Sequence, residues 1–406
     1  MEEWKEYELG ELITLNSGGT PDKSNKSYWG GDIPWISAKF MYDDYLYSSE
    51  LKISQEGLDN GSRLAPKGSI LLLTRGSGLF NRIPVCYVMR DLAYNQDVKC
   101  LESKNKELIS TKFLFYWLMG NKNSIGAILE TTGIGAGKID TNRLKNIRIS
   151  LPPKEYQQAL IGFAESIMHK IELNRRINDN LEQQAQALFK AWFVDFEPFK
   201  DGEFVNSELG MIPKDWRIVS LGEVTKQITE KVGNRKDVTV LSPINSGELV
   251  LSKEYFNKQV FSTDLSKYLI VNPLSFAYNP ARINIGSIGL NTFDFVGCVS
   301  PVYVVFECEP NYQYFFDFFK RTATFKEEVA LRAIGGVRQS LSYNDLALIK
   351  TIYPTPDVIV EFNNLYLKMK EVTKKNTTQN EKFISLRDSL LPRLMSGELK
   401  INDLNS

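Results

Sequence analysis

The residues best suited to chemistry stand in two polar segments, each of which follows an apolar run. The first segment is Thr74–Arg82 and the second is Tyr278–Ser287, and both are rich in Arg, Asn, Ser and Gly. Arg and Asn or Gln are the side chains that hydrogen-bond bidentately to guanine and adenine edges, and loops on a rigid scaffold commonly carry such contacts. The pattern favours base contact by two similar clusters, although each residue taken alone also fits an ordinary surface position.

A glycine-rich stretch, Thr132–Ile139, is a second candidate for contact with phosphate or bases. It is not a Walker A loop, because Thr132 stands at the first glycine position and Ile139 replaces the Ser or Thr. The corresponding stretch later in the chain, Ala333–Gln339, keeps its glycines and one basic residue. Both stretches fit either contact with a nucleic acid or an ordinary tight loop before a strand.

These segments and their neighbours provide the set of candidate DNA-contacting residues. All of the candidates carry polar or charged side chains that can contact bases or phosphates. They are Lys39, Arg75, Ser77, Asn81, Arg82, Gln96 and Lys138 in the first half of the chain, and Asn279, Arg282, Asn284, Arg332, Arg338 and Gln339 in the second.

Residues for catalysis or metal binding are poorly represented. His169 is the single histidine, and the four cysteines lack C-x-x-C spacing, which disfavours a zinc site and a His-based triad. The sequence Asn-Pro-Ala-Arg at 279–282 departs from the N-P-P-[YF] motif of amino-methyltransferases at its last two positions. We therefore expect no catalytic residue and no metal site in this chain.

The composition fits a globular protein of two or three domains. The chain has 406 residues with 49 Lys+Arg and 49 Asp+Glu, so any basic DNA-binding surface has to be local. It has no run of about 18 apolar residues and no secretory signal at its start, so we expect no membrane contact and a cytoplasmic location.

The chain reads as an internal duplication. The pattern W-x4-L-G-E occurs at Trp4–Glu11 and again at Trp216–Glu223, an offset of 212 residues. The offset then shortens to 202, at which Asn142–Ile147 matches Asn344–Ile349. Each copy contains short apolar runs bounded by Gly and Pro, which are typical of strands, and then a long helical pattern. This predicts an α+β fold with two pseudo-symmetric globular α/β domains.

Apolar residues in 4-3 stepping after Pro152 and Pro354 predict two helices of about 40 residues, each about 60 Å long. We expect them to pair as a long antiparallel coiled coil that separates the two domains. Asn residues in the seam would fix the register, although a solvated seam is the alternative. The predicted seam residues are Ile167, Ile171, Asn174, Asn178, Leu181, Leu188, Met369, Asn376, Asn380, Phe383 and Leu390.

Four fragments of the chain resemble the DNA-specificity (S) subunit of Type I restriction-modification systems. Ser17–Pro21 and Tyr28–Ile36 are similar to the opening of its target-recognition domain. Gly210–Trp216 resembles the start of its second domain, and Ser389–Leu399 resembles its C-terminal conserved region. The resemblance implies target-recognition domains at 1–152 and, with a linker, at 198–354. It implies conserved coiled-coil helices at 153–197 and, with a C-terminal tail, at 355–406.

The second domain lacks the Y-W-G-G-D-I-P-W block and at Phe276–Ile288 resembles another recognition-domain subtype. The resemblance therefore implies that each domain reads a different half of a bipartite, asymmetric DNA site. It implies a non-catalytic chain without a cofactor of its own, whose helices set the gap and dock two modification subunits. Those partners would carry S-adenosylmethionine and methylate adenine, and restriction or translocase subunits are optional further partners.

Two other functions remain open at this level. One is a recognition subunit of another restriction-modification class, in which methylation and cleavage share one partner chain. The other is a tandem-repeat scaffold that binds protein rather than DNA.

Overall fold

The computed structural model describes residues 4–133, 135–256, 261–333 and 340–401. The chain divides into two compact units. Unit 1 comprises residues 1–176 and 376–406, and unit 2 comprises residues 177–375. Each unit therefore combines a mixed α/β part with a segment of both long helices. The sequence-based division, which separates the helices from the mixed parts, stays a prediction.

The mixed part of unit 1 alternates short strands with short helices. Its strands are β1 (Lys5–Glu8), β2 (Ile13–Ser17), β3 (Trp29–Ile36), β4 (Tyr45–Leu46), β5 (Lys52–Ile53), β6 (Leu64–Ala65), β7 (Ile70–Leu73), β8 (Arg75–Gly76), β9 (Val85–Val88), β10 (Leu92–Tyr94), β11 (Val98–Ser103), β12 (Leu129–Thr131), β13 (Gly137–Ile139) and β14 (Arg148–Leu151). Its helices are α1 (Leu9–Leu12), α2 (Gln55–Gly61), α3 (Thr111–Gly120), α4 (Lys122–Gly126), α5 (Thr141–Lys145) and the first part of α6 (Lys154–Phe193).

The core of unit 1 lies around a five-stranded sheet in the order β2-β11-β7-β9-β4. All four residues of β7 are apolar and buried, as expected for a strand covered on both faces. Helix α3 packs on β9 and β11 and buries seven successive apolar residues, which begin at Phe113. The other sheets have the orders β5-β3-β10-β6, β12-β13-β8 and β1-β14. The β12-β13-β8 sheet is small and carries two of the candidate contact residues.

Unit 2 repeats the mixed composition with different strand lengths. Its strands are β15 (Phe204–Ser207), β16 (Gly210–Pro213), β17 (Arg217–Ser220), β18 (Thr225–Ile228), β19 (Thr239–Pro243), β20 (Leu249–Leu251), β21 (Leu269–Val271), β22 (Phe276–Tyr278), β23 (Ile288–Leu290), β24 (Gly297–Val299), β25 (Val304–Cys308) and β26 (Lys350–Tyr353). Its helices are α7 (Leu221–Val224), α8 (Ser252–Tyr255), α9 (Gln313–Phe319), α10 (Ala323–Arg332), α11 (Tyr343–Ala347) and the first part of α12 (Pro356–Met395).

Two four-stranded sheets form the body of unit 2, in the orders β18-β25-β22-β23 and β20-β19-β24-β21. Aromatic residues of α9 pack with those of the long helices. The ring centroids of Phe318 and Phe189 lie 5.3 Å apart, and those of Phe318 and Phe362 lie 5.7 Å apart. Burial of such rings is a large source of stability, so α9 anchors the mixed part to the helices of its own unit.

The repeated sequence positions build the same frame in both units. β1 pairs antiparallel with β14, and β17 pairs antiparallel with β26. The Leu9 amide donates to the carbonyl of Ile147 at 2.8 Å, and the Leu221 amide donates to that of Ile349 at 2.8 Å. In each L-G-E sequence the Glu caps the short helix that begins at the Leu. The duplicated motif is therefore a structural joint rather than a contact site.

The two glycines of this motif meet a neighbouring helix closely. A Cβ atom on Gly10 would lie 2.8 Å from the Cβ of Lys145, and one on Gly222 would lie 3.0 Å from the Cβ of Ala347. The first contact requires a shift and the second requires the neighbour to give by a few tenths of an ångström, so a larger residue would press against α5 or α11. The glycine makes the same close approach to a neighbouring helix in both copies.

The long helices run antiparallel within each unit. In unit 1 the Tyr156 hydroxyl donates to the carbonyl of Leu399 at 3.2 Å, and further along the pair Asn174 Nδ2 donates to Asn380 Oδ1 at 2.9 Å. In unit 2 Asn178 Nδ2 lies 3.5 Å from the carbonyl of Thr373, and the rings of Phe193 and Phe362 pack 5.1 Å apart. The α+β fold class predicted from the sequence is confirmed.

The predicted seam residues all lie in buried or half-buried positions of the two helices. Asn174 is among the buried ones, and its side chain also donates to Gln379 Oε1 at 2.9 Å. The buried members are Ile167, Ile171, Asn174 and Asn380, and the half-buried ones are Asn178, Leu181, Leu188, Met369, Asn376, Phe383 and Leu390.

Candidate nucleic-acid interface

Three basic side chains come together on the small and large sheets of unit 1. Arg75 on β8 and Lys138 on β13 are direct cross-strand partners. Lys99 on β11 lies close to Arg75. Burial lowers the pKa of Lys99, and the positive charge of Arg75 lowers it further. Lys99 also donates a hydrogen bond to the hydroxyl of Ser17. We call Arg75, Lys99 and Lys138 the basic cluster.

The basic cluster has acidic neighbours but forms no ion pair with them among the described residues. Asp97 acts on Lys99 through its charge, Lys138 acts on Asp140, and Glu130 stands opposite Lys138 on β12. Arg143 and Glu130 form an ion pair at 2.9 Å on the same small sheet and the helix after it. By contrast, neither Arg75 nor Lys138 has a carboxylate oxygen within 4 Å in the described part of the chain. Like charges directly opposite each other on paired strands are destabilising. An anionic ligand such as a DNA phosphate would relieve that repulsion.

The glycine-rich stretch before Lys138 is a hairpin loop between β12 and β13. The Thr132 amide donates to the Ala136 carbonyl at 2.7 Å, and the Gly135 amide donates to the Thr132 carbonyl at 2.8 Å. The Ala136 amide donates to Thr132 Oγ1 at 3.1 Å. These three backbone N–H groups are used within the loop, so they are not free to bind a ligand beside Lys138.

Other candidates of unit 1 are exposed, and some already have structural partners. Arg82 donates to the carbonyls of Met41 and Tyr42 and stacks on the Tyr42 ring at 5.0 Å. Gln96 accepts a 2.6 Å hydrogen bond from the hydroxyl of Thr20. The Nζ atom of Lys39 lies 5.3 Å from the ring centroid of Phe40. Ser77 and Asn81 are exposed at the short 3-10 helix 77–80 and directly after it.

The Y-W-G-G-D-I-P-W block positions loops rather than forming an exposed reading surface. The indole of Trp35 is buried and donates to the Gly19 carbonyl at 3.1 Å. The indole of Trp29 donates to the Asp22 carbonyl at 3.1 Å and packs edge-on against Trp35 at 5.3 Å. A Cβ atom at Gly18 would lie 2.1 Å from the Tyr94 carbonyl. These contacts give both tryptophans of the block, and Gly18 before it, a packing role.

In unit 2 the candidates Asn279, Arg282 and Asn284 lie in the loop that joins β22 to β23. Asn279 Oδ1 accepts from the Ala281 amide at 3.1 Å, so this side chain shapes the turn. Gly286 has φ +92°, and a Cβ atom there would lie 2.7 Å from the Asn245 carbonyl. The loop is therefore fixed by backbone packing, and it holds Arg282 and Asn284 at its exposed side.

Arg282 borders a cleft of about 320 Å³ in unit 2. Asn279, Ser300 and Tyr303 also line it, which gives the cleft amide, hydroxyl and guanidinium groups. Among the described residues Arg282 has no carboxylate partner. The cleft differs from the basic cluster of unit 1, because it offers mixed polar groups around one cation.

The remaining candidates of unit 2 lie apart from this loop in the sequence. Arg332, at the end of α10, is half-buried and pairs with Glu328 at 2.7 Å. Its Nε atom is buried without a hydrogen-bond partner. Arg338 and Gln339 lie outside the described residues.

The described residues show no arrangement suited to metal chemistry or to a membrane span. They contain no group of three or more His, Cys, Asp or Glu side chains placed to hold a metal ion. Within the same ranges, no helix combines the length and apolar character needed to cross a bilayer. All four cysteines are buried free thiols, and burial raises the pKa of Cys100 and of Cys298 to about 11.

Taken together, the chain is a tandem duplication of α/β units, each of which carries one polar cluster. Residues 1–183 match the family described as the Type I restriction modification DNA specificity domain. The chain is 26% identical to the Type I restriction enzyme MjaIX specificity subunit of Methanocaldococcus jannaschii, over 99% of this chain and 95% of that protein. It is 25% identical to the HindI specificity subunit of Haemophilus influenzae, over 98% and 100% of the two chains.

A solved structure has the same fold. It is the S subunit of a Type I restriction-modification system from M. genitalium, with a TM-score of 0.54, 14% identity and 96% of each chain covered. The resemblance predicted from the sequence is confirmed, because the chain is similar over nearly its whole length to specificity subunits of Type I restriction-modification systems.

Proposed function

We propose that this chain is the non-catalytic DNA sequence-recognition subunit of a Type I restriction-modification complex. Each unit reads one half of a bipartite, asymmetric site in duplex DNA. The observation that carries this proposal is the pair of unlike polar clusters, one per unit, on the same repeated frame. Unit 1 presents Arg75, Lys99 and Lys138, none of which forms a salt bridge among the described residues, whereas unit 2 presents Arg282 on a rigid loop.

The other exposed candidates named from the sequence extend these two surfaces. Phosphate contacts position a protein on DNA, and base-edge contacts specify the sequence. The basic cluster suits both roles, because lysine binds phosphate and arginine also reads guanine. Arg82 and Gln96 keep some donor capacity beyond their internal partners, so they remain proposed contacts alongside Lys39, Ser77 and Asn81.

The long helices set the gap between the half-sites and dock two modification subunits in this proposal. Buried Asn174 and Asn380 give the pair a fixed register. The helices also expose apolar residues, among them Leu173 on α6 and Val372 on α12, which suit a protein interface. The modification subunits bind S-adenosylmethionine and methylate adenine, optional restriction subunits add cleavage, and the complex acts in the cytoplasm.

Selection from random duplex DNA tests the recognition function. The chain is purified as a complex with its modification subunits, and bound duplexes are sequenced. We expect enrichment of one split motif with two unlike halves and a constant gap. Enrichment of a single undivided motif, or of none, would contradict the proposal. The chain purified separately, without its partners, should neither methylate nor cleave the selected duplex.

The gap is tested by changing the length of both helices together. Inserting one heptad in α6 and one in α12 lengthens the pair by about 10 Å, which corresponds to about three base pairs. The selected motif should keep both halves and gain a longer gap, and deletion of one heptad should shorten it. An unchanged gap in folded variants would show that the helices do not set it.

A further inference from the structure

Unit 2 buries a lysine whose three donors are all used. Lys320 follows α9, and its side chain is 3% exposed. Its Nζ atom pairs with Asp317 Oδ1 at 2.8 Å, donates to the Ile288 carbonyl at 3.1 Å and donates to the Gly247 carbonyl. An ammonium group has three N–H donors, so none remains for solvent or a ligand. Lys320 therefore acts within the fold.

The two carbonyls that Lys320 binds belong to two different hairpins. Gly247 lies in the turn between β19 and β20, and it has φ +85°. Ile288 is the first residue of β23, directly after the loop 279–287 that carries Arg282. One buried ammonium thus joins the candidate reading loop to its neighbouring turn.

The backbones of these two hairpins also touch. A Cβ atom on Gly286 would lie 2.7 Å from the Asn245 carbonyl, and one on Gly289 would lie 2.5 Å from the amide nitrogen of Leu249. The Ser287 hydroxyl donates to the Pro243 carbonyl at 2.8 Å. The two hairpins are therefore closely packed, and Lys320 bonds to both of them.

Asp317, which neutralises Lys320, is the start of a chain of ion pairs that reaches a long helix. Asp317 Oδ2 pairs with Arg321 at 2.8 Å, and Arg321 pairs with Glu182 of α6 at 2.6 Å. The side chain of Asp317 is 9% exposed, whereas those of Arg321 and Glu182 are 36% and 47% exposed. A line of alternating charges therefore runs from the two hairpins through α9 to α6.

We infer that Lys320, Asp317 and Arg321 position the reading loop of unit 2 and so determine how strictly this unit discriminates its half-site. The inference rests on the proposed function. Lys320 is a positioning residue, because it touches the backbone that carries Arg282 and not the DNA. The hydrogen bonds of Lys320 hold the reading loop against the turn between β19 and β20, and the ion pairs of Asp317 and Arg321 link Lys320 to α6.

The test uses Lys320→Met in the complex with the modification subunits. Methylation rates are compared for the selected duplex and for duplexes with single substitutions in either half. We expect discrimination to fall by about tenfold in one half only, the half that Arg75→Ala leaves unaffected, since a misplaced bidentate contact loses an effect of about this size. Lys326→Met is the matched control, because Lys326 is exposed in the same unit and should change neither half.

A second variant separates positioning from stability. Lys320→Met combined with Asp317→Leu replaces both buried charges by apolar side chains, which commonly restores the stability lost by removing one partner. We expect this double variant to unfold at a temperature nearer to that of the wild type than Lys320→Met does. It should still discriminate poorly in the same half-site, because the two carbonyls have lost their shared donor.

The outcomes are distinct. The inference would be overturned if the double variant recovered both its stability and its discrimination. It would also be overturned if Lys320→Met weakened discrimination equally in both half-sites or in neither of them.

A further variant tests the link to α6. Glu182→Gln keeps the buried Lys320–Asp317 pair and should weaken discrimination about twofold in the same half-site, with Asp179→Asn as its control. If the wild-type complex selects no split motif, the proposed function itself fails.

Discussion

Each unit buries one cation among its described residues, but the cation belongs to a long helix in unit 1 and to the mixed part in unit 2. In unit 1 it is Arg387 of α12, which is 4% exposed and pairs with Asp44 of the mixed part at 2.7 Å. In unit 2 it is Lys320 of the mixed part, which pairs with Asp317. The residue at the repeat position of Arg387 is Ala185, which is buried but carries no charge.

The difference shows which parts of the duplication are free to change. The strand pairs, the Leu amides and the glycines of the L-G-E motif are the same in both units, because they form the joint. An ion pair links the mixed part to a long helix in both units, but it is Asp44 with Arg387 in unit 1 and Arg321 with Glu182 in unit 2, which are not repeat positions of each other. The proposed contact surfaces differ as well, so the two units share a frame but position their polar side chains with different residues.

The largest effect on stability is expected from Arg387→Met. This change leaves Asp44, whose side chain is 22% exposed, without its buried partner. The free energy of unfolding should fall by about 3 kcal/mol. Arg175→Met is the control in the same unit, because the Arg175–Asp43 pair at 3.4 Å is exposed and should cost less than about 1 kcal/mol. Equal losses in urea unfolding would remove the contrast between the two pairs.

The shared frame predicts matching losses in the two units. Gly10→Val and Gly222→Val each force a side chain against a neighbouring helix, and each should lower the free energy of unfolding by about 2 kcal/mol. Gly162→Val on α6 is the control, since nothing lies within 4 Å of its Cβ position. It should change stability by less than about 0.5 kcal/mol. A loss in only one unit would show that the joints are not equivalent.

The recognition surfaces predict losses that do not match. Arg75→Ala should relax the preference in one half-site and Arg282→Ala in the other, each by about 1–3 kcal/mol of discrimination. Stability should be unchanged, because neither guanidinium has a carboxylate partner within the described residues. Arg143→Ala is the control, since Arg143 is already paired with Glu130. Loss in both half-sites from either variant would contradict the assignment of one half-site per unit.

The smallest effect concerns the thiols, for which the two units should behave alike. All four cysteines are buried, and burial raises the pKa of each thiol, with Cys100 and Cys298 reaching about 11. The reactive thiolate is therefore scarce at pH 8. A thiol reagent should label none of the four in the folded protein and all four in guanidinium. Rapid labelling of one cysteine would reveal local opening in its unit.

Sequence patterns predict those features that depend on neighbours along the chain. The helices α6 and α12 follow from apolar stepping and from the prolines before them, and the repeat identifies the joint. Partners that are distant in sequence could not be read in this way. Arg82 looks like a free contact residue, yet it binds two carbonyls 40 residues earlier.

The buried network of unit 2 shows the same limit. Asp317, Lys320 and Arg321 have ordinary helical spacing, so the sequence gives no sign that Lys320 is buried between two hairpins. Its acceptors are backbone carbonyls, which carry no residue-specific signal. The one available hint is the glycines at 247, 286 and 289, because left-handed or crowded backbone positions mark close approaches.

The pairing of β1 with β14, and of β17 with β26, bears on how gene segments could be exchanged between related proteins. The chain leaves and returns through adjacent strands, so everything between them is a cassette whose two ends meet at one fixed spot. A gene segment coding for such a cassette could be exchanged for a foreign one with little disturbance to the host framework. Recombination at these borders would then create new DNA specificities in a single event, without waiting for stepwise mutation.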